Sequence, residues 1–261
     1  MRQYVPPVLR RPLGRLYRAI NPRIRASIPT WPRLARPGKY RPPVRIEPLS
    51  PAEQDVTDAF HRLYYDAWRE GKGTIDIAWF GYRTLKCPLD LWIYQEIIFE
   101  TRPNVIVEAG TASGGSALFL ASIFDLLGHG EVLTIDIADL PNRPRHPRIH
   151  YLLGSSVDPS ILDAVVDKTR GRRTMVILDS DHSEAHVKAE LEAYRRVVSV
   201  GCYLVVEDTN VNGHPARAEF GPGPMEALDA FLPSAPEFEI DRTRERFMMT
   251  LNPRGFLRRI R

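Results

Sequence analysis

The sequence predicts a Rossmann-like α/β fold, in which helices cover both faces of a mainly parallel sheet of seven strands. Two observations lead to this prediction. From residue 104 onward, short apolar runs alternate with segments whose apolar residues recur at helical spacing. Such alternation implies βαβ units and a parallel sheet. Glycines and acidic residues follow several of the apolar runs directly, and ligands of parallel sheets bind at these strand ends.

Each element follows from its own pattern. Apolar runs predict five strands, over residues 104–108, 131–137, 149–154, 174–179 and 202–208. Helical spacing predicts helices over residues 113–127, 159–168, 183–199 and 225–232. The segment FEIDRTRERFMMTL, at about 237–251, predicts a C-terminal antiparallel hairpin that completes the sheet.

Two further helices are predicted before the first of these strands. Ser50, followed by Pro51 and by Glu53 three residues on, is typical of a capped helix start, here of PAEQDVTDAFHRLYYDAW. A second helix is expected over about 88–100. Between them lies a loop rich in Trp and Tyr. Its aromatic residues either pack in the core or line a pocket, in which case Trp79 or Tyr82 would contact a substrate.

The N-terminal segment differs in composition from the rest of the chain. Residues 1–45 contain nine of the 23 prolines and twelve Lys or Arg, but no Asp or Glu. Subtracting those twelve from the 36 basic residues leaves 24 against 32 acidic ones. We therefore predict a basic arm over residues 1–48 and one domain over 49–261. The arm is expected to lie on the acidic surface of the domain or of a partner subunit, with an anionic membrane as the alternative. No nucleic-acid motif is present.

Composition also limits the cellular setting. The sequence has no apolar run of the length needed to span a membrane and no signal-peptide pattern. Cys87 and Cys202 lie far apart in the sequence and match no metal-binding spacing. Reduced core thiols in a cytoplasmic protein are expected. If the arm binds lipid, that protein would lie at the inner membrane surface.

A glycine-rich turn follows the first strand of the alternating region. In VEAGTASGGSALF, Glu108 ends the strand, and Gly110 and Gly114 frame the turn into a helix. The spacing differs from the G-x-G-x-x-G of dinucleotide binders. An acid before G-x-x-x-G is typical of S-adenosylmethionine (SAM) methyltransferases. Asp136 ends the next strand, where a carboxylate can accept hydrogen bonds from ribose hydroxyls. The alternative is a tight turn in an unrelated α/β protein.

Three acidic residues close two strands that are expected to be neighbours. Asp179 follows one strand, and Glu207 and Asp208 end the next. Carboxylates placed so close together repel strongly unless a cation lies among them. Oxygen ligands favour Mg²⁺, with Mn²⁺ or Ca²⁺ as alternatives. Otherwise these acids cap loops or bind SAM without a metal.

His182 follows Asp179 by three residues. If the loop turns back, the imidazole faces the acid cluster and can accept a proton from a group bound there. A structural histidine is the alternative.

These motifs together resemble the cephalosporin hydroxylase / rhamnosyl O-methyltransferase family over about residues 75–251. The resemblance is carried by WFGYRTLKCPLDLWIYQEII, RPNVIVEAGTASGGSALFLAS, LDSDHSEAHV, VVEDTNVNGHP and GPGPMEAL. It implies a class I SAM-dependent, Mg²⁺-dependent O-methyltransferase. Family members often methylate sugar hydroxyls of glycolipids, polysaccharides or macrolides, and they often form oligomers, so a homo-oligomer and a saccharide acceptor are expected.

The resemblance also implies roles for single residues. Asp179, Glu207 and Asp208 match the metal ligands, and His182 matches the general base. The loop with His214 and residues 221–224 match a cover over the acceptor. The predicted SAM contacts are Glu108, Gly110, Thr111, Gly114, Ser116, Asp136, Ser155, Ser156 and Asp179, with residues 154–156 beside the adenine.

Other functions remain open on the sequence alone. A catechol-type methyltransferase would share the metal and SAM but accept a planar diol. An iron-dependent hydroxylase could use His182, Glu184 and His214 as a facial triad. A non-catalytic SAM-binding subunit could keep the fold.

Overall fold

The computed structural model describes residues 47–261. The predicted arm of residues 1–48 falls almost wholly outside the described residues, so its role and its boundary stay predictions. Within the described part, no helix has both the length and the hydropathy that crossing a membrane requires.

The described chain contains six α-helices and nine strands. The helices are α1 (Pro51–Arg69), α2 (Pro88–Thr101), α3 (Gly115–Leu127), α4 (Pro159–Thr169), α5 (Glu184–Tyr194) and α6 (Pro224–Phe231). The strands are β1 (Asp76–Trp79), β2 (Tyr82–Leu85), β3 (Val105–Ala109), β4 (Glu131–Asp136), β5 (Ile149–Leu153), β6 (Thr174–Leu178), β7 (Tyr203–Val206), β8 (Phe238–Ile240) and β9 (Phe256–Arg259).

Seven of the strands form the predicted sheet, in the order β5-β4-β3-β6-β7-β9-β8. Strands β3 to β7 pair in parallel, whereas β9 runs antiparallel to both β7 and β8. The predicted mainly parallel, seven-stranded α/β fold is therefore confirmed. Its central strands β3, β6 and β7 are buried along their whole length, as expected of strands covered on both faces.

The start of α1 confirms the predicted capping box. The Glu53 amide donates to the Ser50 hydroxyl, and the Ser50 amide donates to the Glu53 carboxylate at 2.8 Å. These bonds satisfy two backbone donors that a helix end would otherwise leave free.

The loop predicted over residues 71–87 contains a two-stranded antiparallel sheet, β1 with β2. This hairpin packs on the start of α3. A Cβ built on Gly115 would lie 2.1 Å from the Thr84 Oγ1 and 2.3 Å from the Arg83 carbonyl oxygen. The hairpin therefore holds the chain close to the glycine-rich turn.

The predicted C-terminal antiparallel hairpin is confirmed, but its second strand, β9, lies beyond the predicted end at about residue 251. Strand β8 pairs with β9, which begins at Phe256, and a 3-10 helix (Arg242–Glu245) follows β8. Met249 and Leu251 are buried in a small cluster with Tyr65 and Cys87. Their alternating apolar pattern therefore serves packing rather than strand pairing. Helix α5 also ends at Tyr194, earlier than the predicted residue 199.

Candidate active site

The register of two parallel strands brings the predicted acids together. Leu178 of β6 pairs with Val206 of β7, so the next residues, Asp179 and Glu207, leave the sheet side by side. The Glu207 amide donates to the Leu178 carbonyl at 3.0 Å, which extends this alignment past the strand ends. Glu207 is 4% exposed. The acid cluster, Asp179, Glu207 and Asp208, therefore forms because the sheet is parallel at this point.

Asp208 has a left-handed backbone conformation, with φ of 53°. This region is uncommon for residues other than glycine and is enriched at functional sites. The Asp208 amide donates to Asn252 Oδ1 at 3.1 Å. Asn252 Nδ2 donates to the Tyr94 hydroxyl at 3.2 Å, and that hydroxyl donates to Glu207 Oε1 at 2.7 Å. One buried network thus positions both acids at the end of β7.

His182 lies between Asp179 and Asp208, as its spacing predicted. Its Nε2 is 3.2 Å from Asp208 Oδ2 and 3.9 Å from Asp179 Oδ1. The backbone around it is held by residues before α6. A Cβ on Gly223 would lie 3.2 Å from the His182 carbonyl oxygen, and the Glu184 amide donates to the Pro222 carbonyl.

The described residues fit a divalent cation at this point. Asp179, His182 and Asp208 each offer a ligand atom, and these atoms lie within 4.8 Å of one another. The two carboxylates suit Mg²⁺ or Mn²⁺, whereas the imidazole is a more usual ligand of Zn²⁺ or Fe²⁺. Glu207, the third predicted ligand, is outside this close group, and its Oε1 accepts from Tyr94 and from Lys86.

Lys86 is the residue that sequence reasoning missed. It follows β2 and precedes Cys87, the N-cap of α2. Its side chain is 3% exposed, and its ammonium group donates to Asp179 Oδ2 and to Glu207 Oε1. A positive charge therefore already lies between two of the three acids. No local pattern in the sequence marks it, because Arg83 lies three residues before it and its two partners lie 93 and 121 residues away.

Burial and mutual repulsion shift the pKa values of the acid cluster. Burial, followed by the charge of Asp179, raises the pKa of Glu207 to about 7, although Lys86 opposes the shift. Burial also raises the pKa of Asp179 and of Asp208, against the opposing charges of Lys86 and His182. Burial by itself lowers the pKa of His182, but Asp208 and Asp179 reverse this and raise it. Additional positive charge beside the three carboxylates would favour their ionised forms.

The glycine-rich turn packs directly against the acid cluster. Gly110 has φ of 96°, and a Cβ there would lie 1.8 Å from the Asp179 carbonyl oxygen. Only glycine fits this position. Asp136 stands across the turn, where its carboxylate accepts from the amides of Ala112 at 2.7 Å and Ala138 at 2.9 Å.

A cleft of about 570 Å³ opens over these strand ends. Eight of the predicted site residues line it: Gly110, Asp136, Ser155, Ser156, Asp179, His182, Glu207 and Asp208. Thr111 and Ser116 instead line a small adjoining cavity of about 20 Å³ with Lys86 and Asp179. Glu108 and Gly114 line neither. Glu108 is fully buried, accepts from Thr134 at 2.7 Å on Oε2, and has no partner for Oε1 among the described residues.

The aromatic wall of the cleft comes from α1. Tyr65 and Trp68 line it, whereas Trp79 packs on Phe119 and donates to the Ser122 hydroxyl at 3.1 Å. The guess that Trp79 or Tyr82 lines the substrate pocket is therefore not supported by the geometry. Trp79, at the end of β1, therefore serves packing, which was the alternative.

Only part of the predicted acceptor cover lies beside the cleft: Pro222 and Gly223 contact the backbone around His182, whereas His214 does not line the cleft. His214 lines a separate cavity and contacts Glu226 at 2.9 Å. Glu184 pairs with Lys188 along α5. The close group of potential metal ligands in the described chain contains neither His214 nor Glu184. The geometry therefore gives no facial triad for an iron-dependent hydroxylase.

A second histidine enters the cleft beside the predicted Ser155–Ser156 turn. His186 lines the cleft, and its Nε2 lies 3.1 Å from the Ser156 hydroxyl and 3.5 Å from Glu190. Glu190 is fully buried and accepts from both Ser156 and Ser180. Helical spacing explains the contact between His186 and Glu190, since residues four apart share one face of α5.

The chain is similar to proteins of one family. The profile described as Rhamnosyl O-methyltransferase/CmcI matches residues 72–260. The rhamnosyl O-methyltransferase of Mycobacterium tuberculosis is 39% identical over 210 residues, which cover 77% of this chain and 84% of that protein. That of Mycobacterium leprae is 37% identical over 209 residues, covering 77% of this chain and 90% of the relative.

The solved structures agree on the fold. A structure of CmcI with Mg and SAM has a TM-score of 0.56 to this chain at 21% identity, and covers 85% of this chain and 90% of that one. An apo structure of CmcI gives a TM-score of 0.54 at 23% identity. The profile match and the mycobacterial relatives show that this chain belongs to the Rhamnosyl O-methyltransferase/CmcI family.

Proposed function

We propose that this protein is a metal-dependent O-methyltransferase that transfers the methyl group of SAM to a hydroxyl of a sugar. The observation that carries the proposal is the meeting of Asp179, Asp208 and His182 at the carboxyl ends of β6 and β7, inside the cleft that the glycine-rich turn borders. Relatives named rhamnosyl O-methyltransferases, at 37–39% identity, support the reaction type.

Two parts of the cleft would hold the two ligands. Asp179 and Asp208, with Glu207 behind them, would hold Mg²⁺. Gly110, Asp136 and the Ser155–Ser156 turn would hold SAM, with Asp136 facing the ribose. When bound, SAM supplies a methyl group on a positively charged sulfur, and the divalent cation supplies positive charge beside the acceptor hydroxyl.

His182 is placed to accept the proton of the acceptor hydroxyl. Its Nε2 points to the acid cluster and lies 3.2 Å from Asp208 Oδ2. Nε2 can accept a proton only while it is unprotonated. Once it has accepted the proton, Asp208 stabilises the imidazolium that forms. His182 is therefore proposed as the general base, positioned at about 28% side-chain exposure, where a substrate can reach it.

The acceptor is proposed to be a rhamnose-bearing molecule, because the relatives carry that name. Tyr65 and Trp68 line the same cleft as His182. Aromatic side chains of this kind offer a large apolar face with a polar edge, which suits the mixed surface of a sugar ring.

Incubation of the protein with labelled SAM, Mg²⁺ and a rhamnoside tests the proposal directly. We expect mass spectrometry to find one added methyl group on a rhamnose oxygen, and no product with His182→Gln under the same conditions. Transfer to a catechol but not to the rhamnoside would favour the planar-diol alternative. Absence of transfer to either acceptor, with intact SAM binding, would favour a non-catalytic subunit.

A further inference from the structure

Lys86 is a buried cation held in a connection between elements rather than in a helix or strand. Its side chain is 3% exposed. Burying a charge is costly unless the charge is paired and hydrogen-bonded. Lys86 meets this condition with two carboxylates, Asp179 and Glu207, the second at 2.5 Å. These partners lie 93 and 121 residues away in the sequence, so the contact joins the β1–β2 hairpin to the carboxyl ends of β6 and β7.

Asp179 uses its two oxygens for different neighbours. Oδ2 accepts from Lys86, whereas Oδ1 lies toward His182, at 3.9 Å from Nε2. The close group of potential ligands, Asp179, His182 and Asp208, can therefore still bind a cation while the Lys86 ammonium group stays in place. Lys86 and a divalent cation would share one carboxylate.

Sharing has two electrostatic consequences. Without Lys86 the three acids of the cluster would face one another with His182 as the nearest cationic group. Their mutual repulsion would destabilise the metal-free protein. With Lys86 present, an arriving cation is repelled by a positive charge only a few ångströms away, and that repulsion weakens its binding.

We propose that Lys86 is the resident counter-ion of the acid cluster: it keeps the cluster assembled without a metal and weakens the binding of a divalent cation. It is a positioning residue, because its contacts are to the proposed ligands and not to the reacting atoms. The inference rests on the metal part of the proposed function.

The choice of lysine fits this role. An ammonium group is a compact point charge, whereas a guanidinium is a planar fork that needs more room. Glu207 Oε1 already accepts from Tyr94 at 2.7 Å, and Tyr94 is 1% exposed. A chain with 31 arginines and five lysines thus uses a lysine between the buried Glu207 and the partly buried Asp179.

Lys86→Met tests the inference, because it keeps the length of the side chain and removes its charge. We expect calorimetric titration of the full chain with MgCl₂, after EDTA treatment, to show binding tighter by about tenfold or more. In EDTA the variant should melt at a lower temperature than the wild type, and Mg²⁺ should raise its melting temperature by more. The matched control is Lys72→Met. Lys72 is 64% exposed and pairs with Glu70, so neither quantity should change.

The other outcomes also decide the inference. Equal Mg²⁺ affinity and equal melting shifts in Lys86→Met and wild type would overturn it while leaving the proposed function intact. Absence of Mg²⁺ binding to the wild type would overturn both. If Lys86→Met does not fold in EDTA, folding on addition of Mg²⁺ supports the inference. If both Lys86→Met and Lys86→Gln stay unfolded in Mg²⁺, the cation cannot replace the ammonium charge and the inference fails.

Discussion

His182 is close enough to two carboxylates for its protonation and its orientation to depend on them. Nε2 lies 3.2 Å from Asp208 Oδ2 and 3.9 Å from Asp179 Oδ1. A carboxylate beside a general base fixes the ring and stabilises the protonated product. The protonation and orientation of His182 therefore depend on the acid cluster around it. Asp208 has a left-handed backbone, and its amide donates to Asn252.

His182→Ala is predicted to reduce the rate of methyl transfer by about 10²-fold or more, the usual contribution of a general base. SAM affinity should hardly change, because the Gly110 turn and Asp136 remain. Radiolabel transfer and SAM titration by calorimetry measure the two quantities separately. The matched control is His150→Gln on β5, where His150 pairs with Glu131. A variant at position 182 with near-normal turnover would remove the base assignment.

At the level of single residues, the sequence predicted which side chains meet at the strand ends better than it predicted their hydrogen-bond partners. Asp179, His182 and Asp208 meet as their positions after β6 and β7 indicated. Lys86 could not be predicted, because its partners lie 93 and 121 residues away and no local pattern encodes such a contact. Glu207 was predicted as a ligand without knowledge of its bonds to Tyr94 and Lys86.

The elements of the sheet support the site through close packing at two points. The glycine-rich turn passes so close to the end of β6 that a Cβ on Gly110 would overlap the Asp179 carbonyl. Helix α2 is tied to the segment before β9 by Asp90, whose carboxylate accepts from Thr250 and from the Leu251 amide. Both contacts hold backbone beside the acid cluster.

Gly110→Ala is predicted to destabilise the protein strongly. A positive φ alone costs a residue with a Cβ about 1–2 kcal/mol, and overpacking adds about 1–3 kcal/mol. Gly73→Ala is the matched control, because Gly73 has φ of 73° and open space around its Cβ position. Urea unfolding of the two variants separates conformational strain from the clash. Equal losses of unfolding free energy in Gly110→Ala and Gly73→Ala would show that the contact with Asp179 is unimportant.

Asp90 predicts a pH dependence of stability. Burial raises the pKa of this carboxyl from 3.8 to about 7, against the hydrogen bonds from Thr250 and Leu251. The folded protein binds the proton more tightly than the unfolded chain. Wild-type stability should therefore fall, relative to Asp90→Asn, as pH rises from about 4 to 7, by about 2–4 kcal/mol.

Urea unfolding at pH 5 and pH 8, in EDTA, checks this prediction. Asn at position 90 keeps an acceptor for the Leu251 amide and places an NH₂ donor opposite the Thr250 hydroxyl, which then accepts instead of donating, without a charge. Asp55→Asn, on an exposed position of α1, should follow the wild type at both pH values. Parallel pH curves for the wild type and Asp90→Asn would contradict the raised pKa.

Among the elements, those with strong periodicity were predicted well and those defined by long-range packing were not. Strands β3 to β7 and helices α1 to α4 and α6 lie close to their predicted positions, because apolar runs and caps are local signals. Strands β1 and β2 were predicted as a loop, and the predicted hairpin ended at about residue 251, before β9 begins at Phe256. Both errors arise from apolar residues whose burial is decided by distant parts of the chain.

The whole domain places one cleft at the carboxyl edge of its parallel sheet. The ends of β3, β4, β5, β6 and β7 all contribute residues to it, with α1 closing one side. Ligand sites at this edge are expected for open α/β sheets. The prediction of an α/β methyltransferase fold is confirmed, and membership of the family agrees with the proposed chemistry. Self-association and membrane contact through the basic arm remain predictions.

Metal dependence of methyl transfer tests the central claim most directly. The measurement is transfer from labelled SAM to a rhamnoside by protein dialysed against EDTA, before and after addition of Mg²⁺, for the wild type and for Asp179→Asn. We predict that chelation lowers wild-type turnover by about 100-fold or more, that Mg²⁺ restores it, and that Asp179→Asn is not restored. Full turnover by the chelated wild type would contradict the claim that the acids at the ends of β6 and β7 act through a divalent cation.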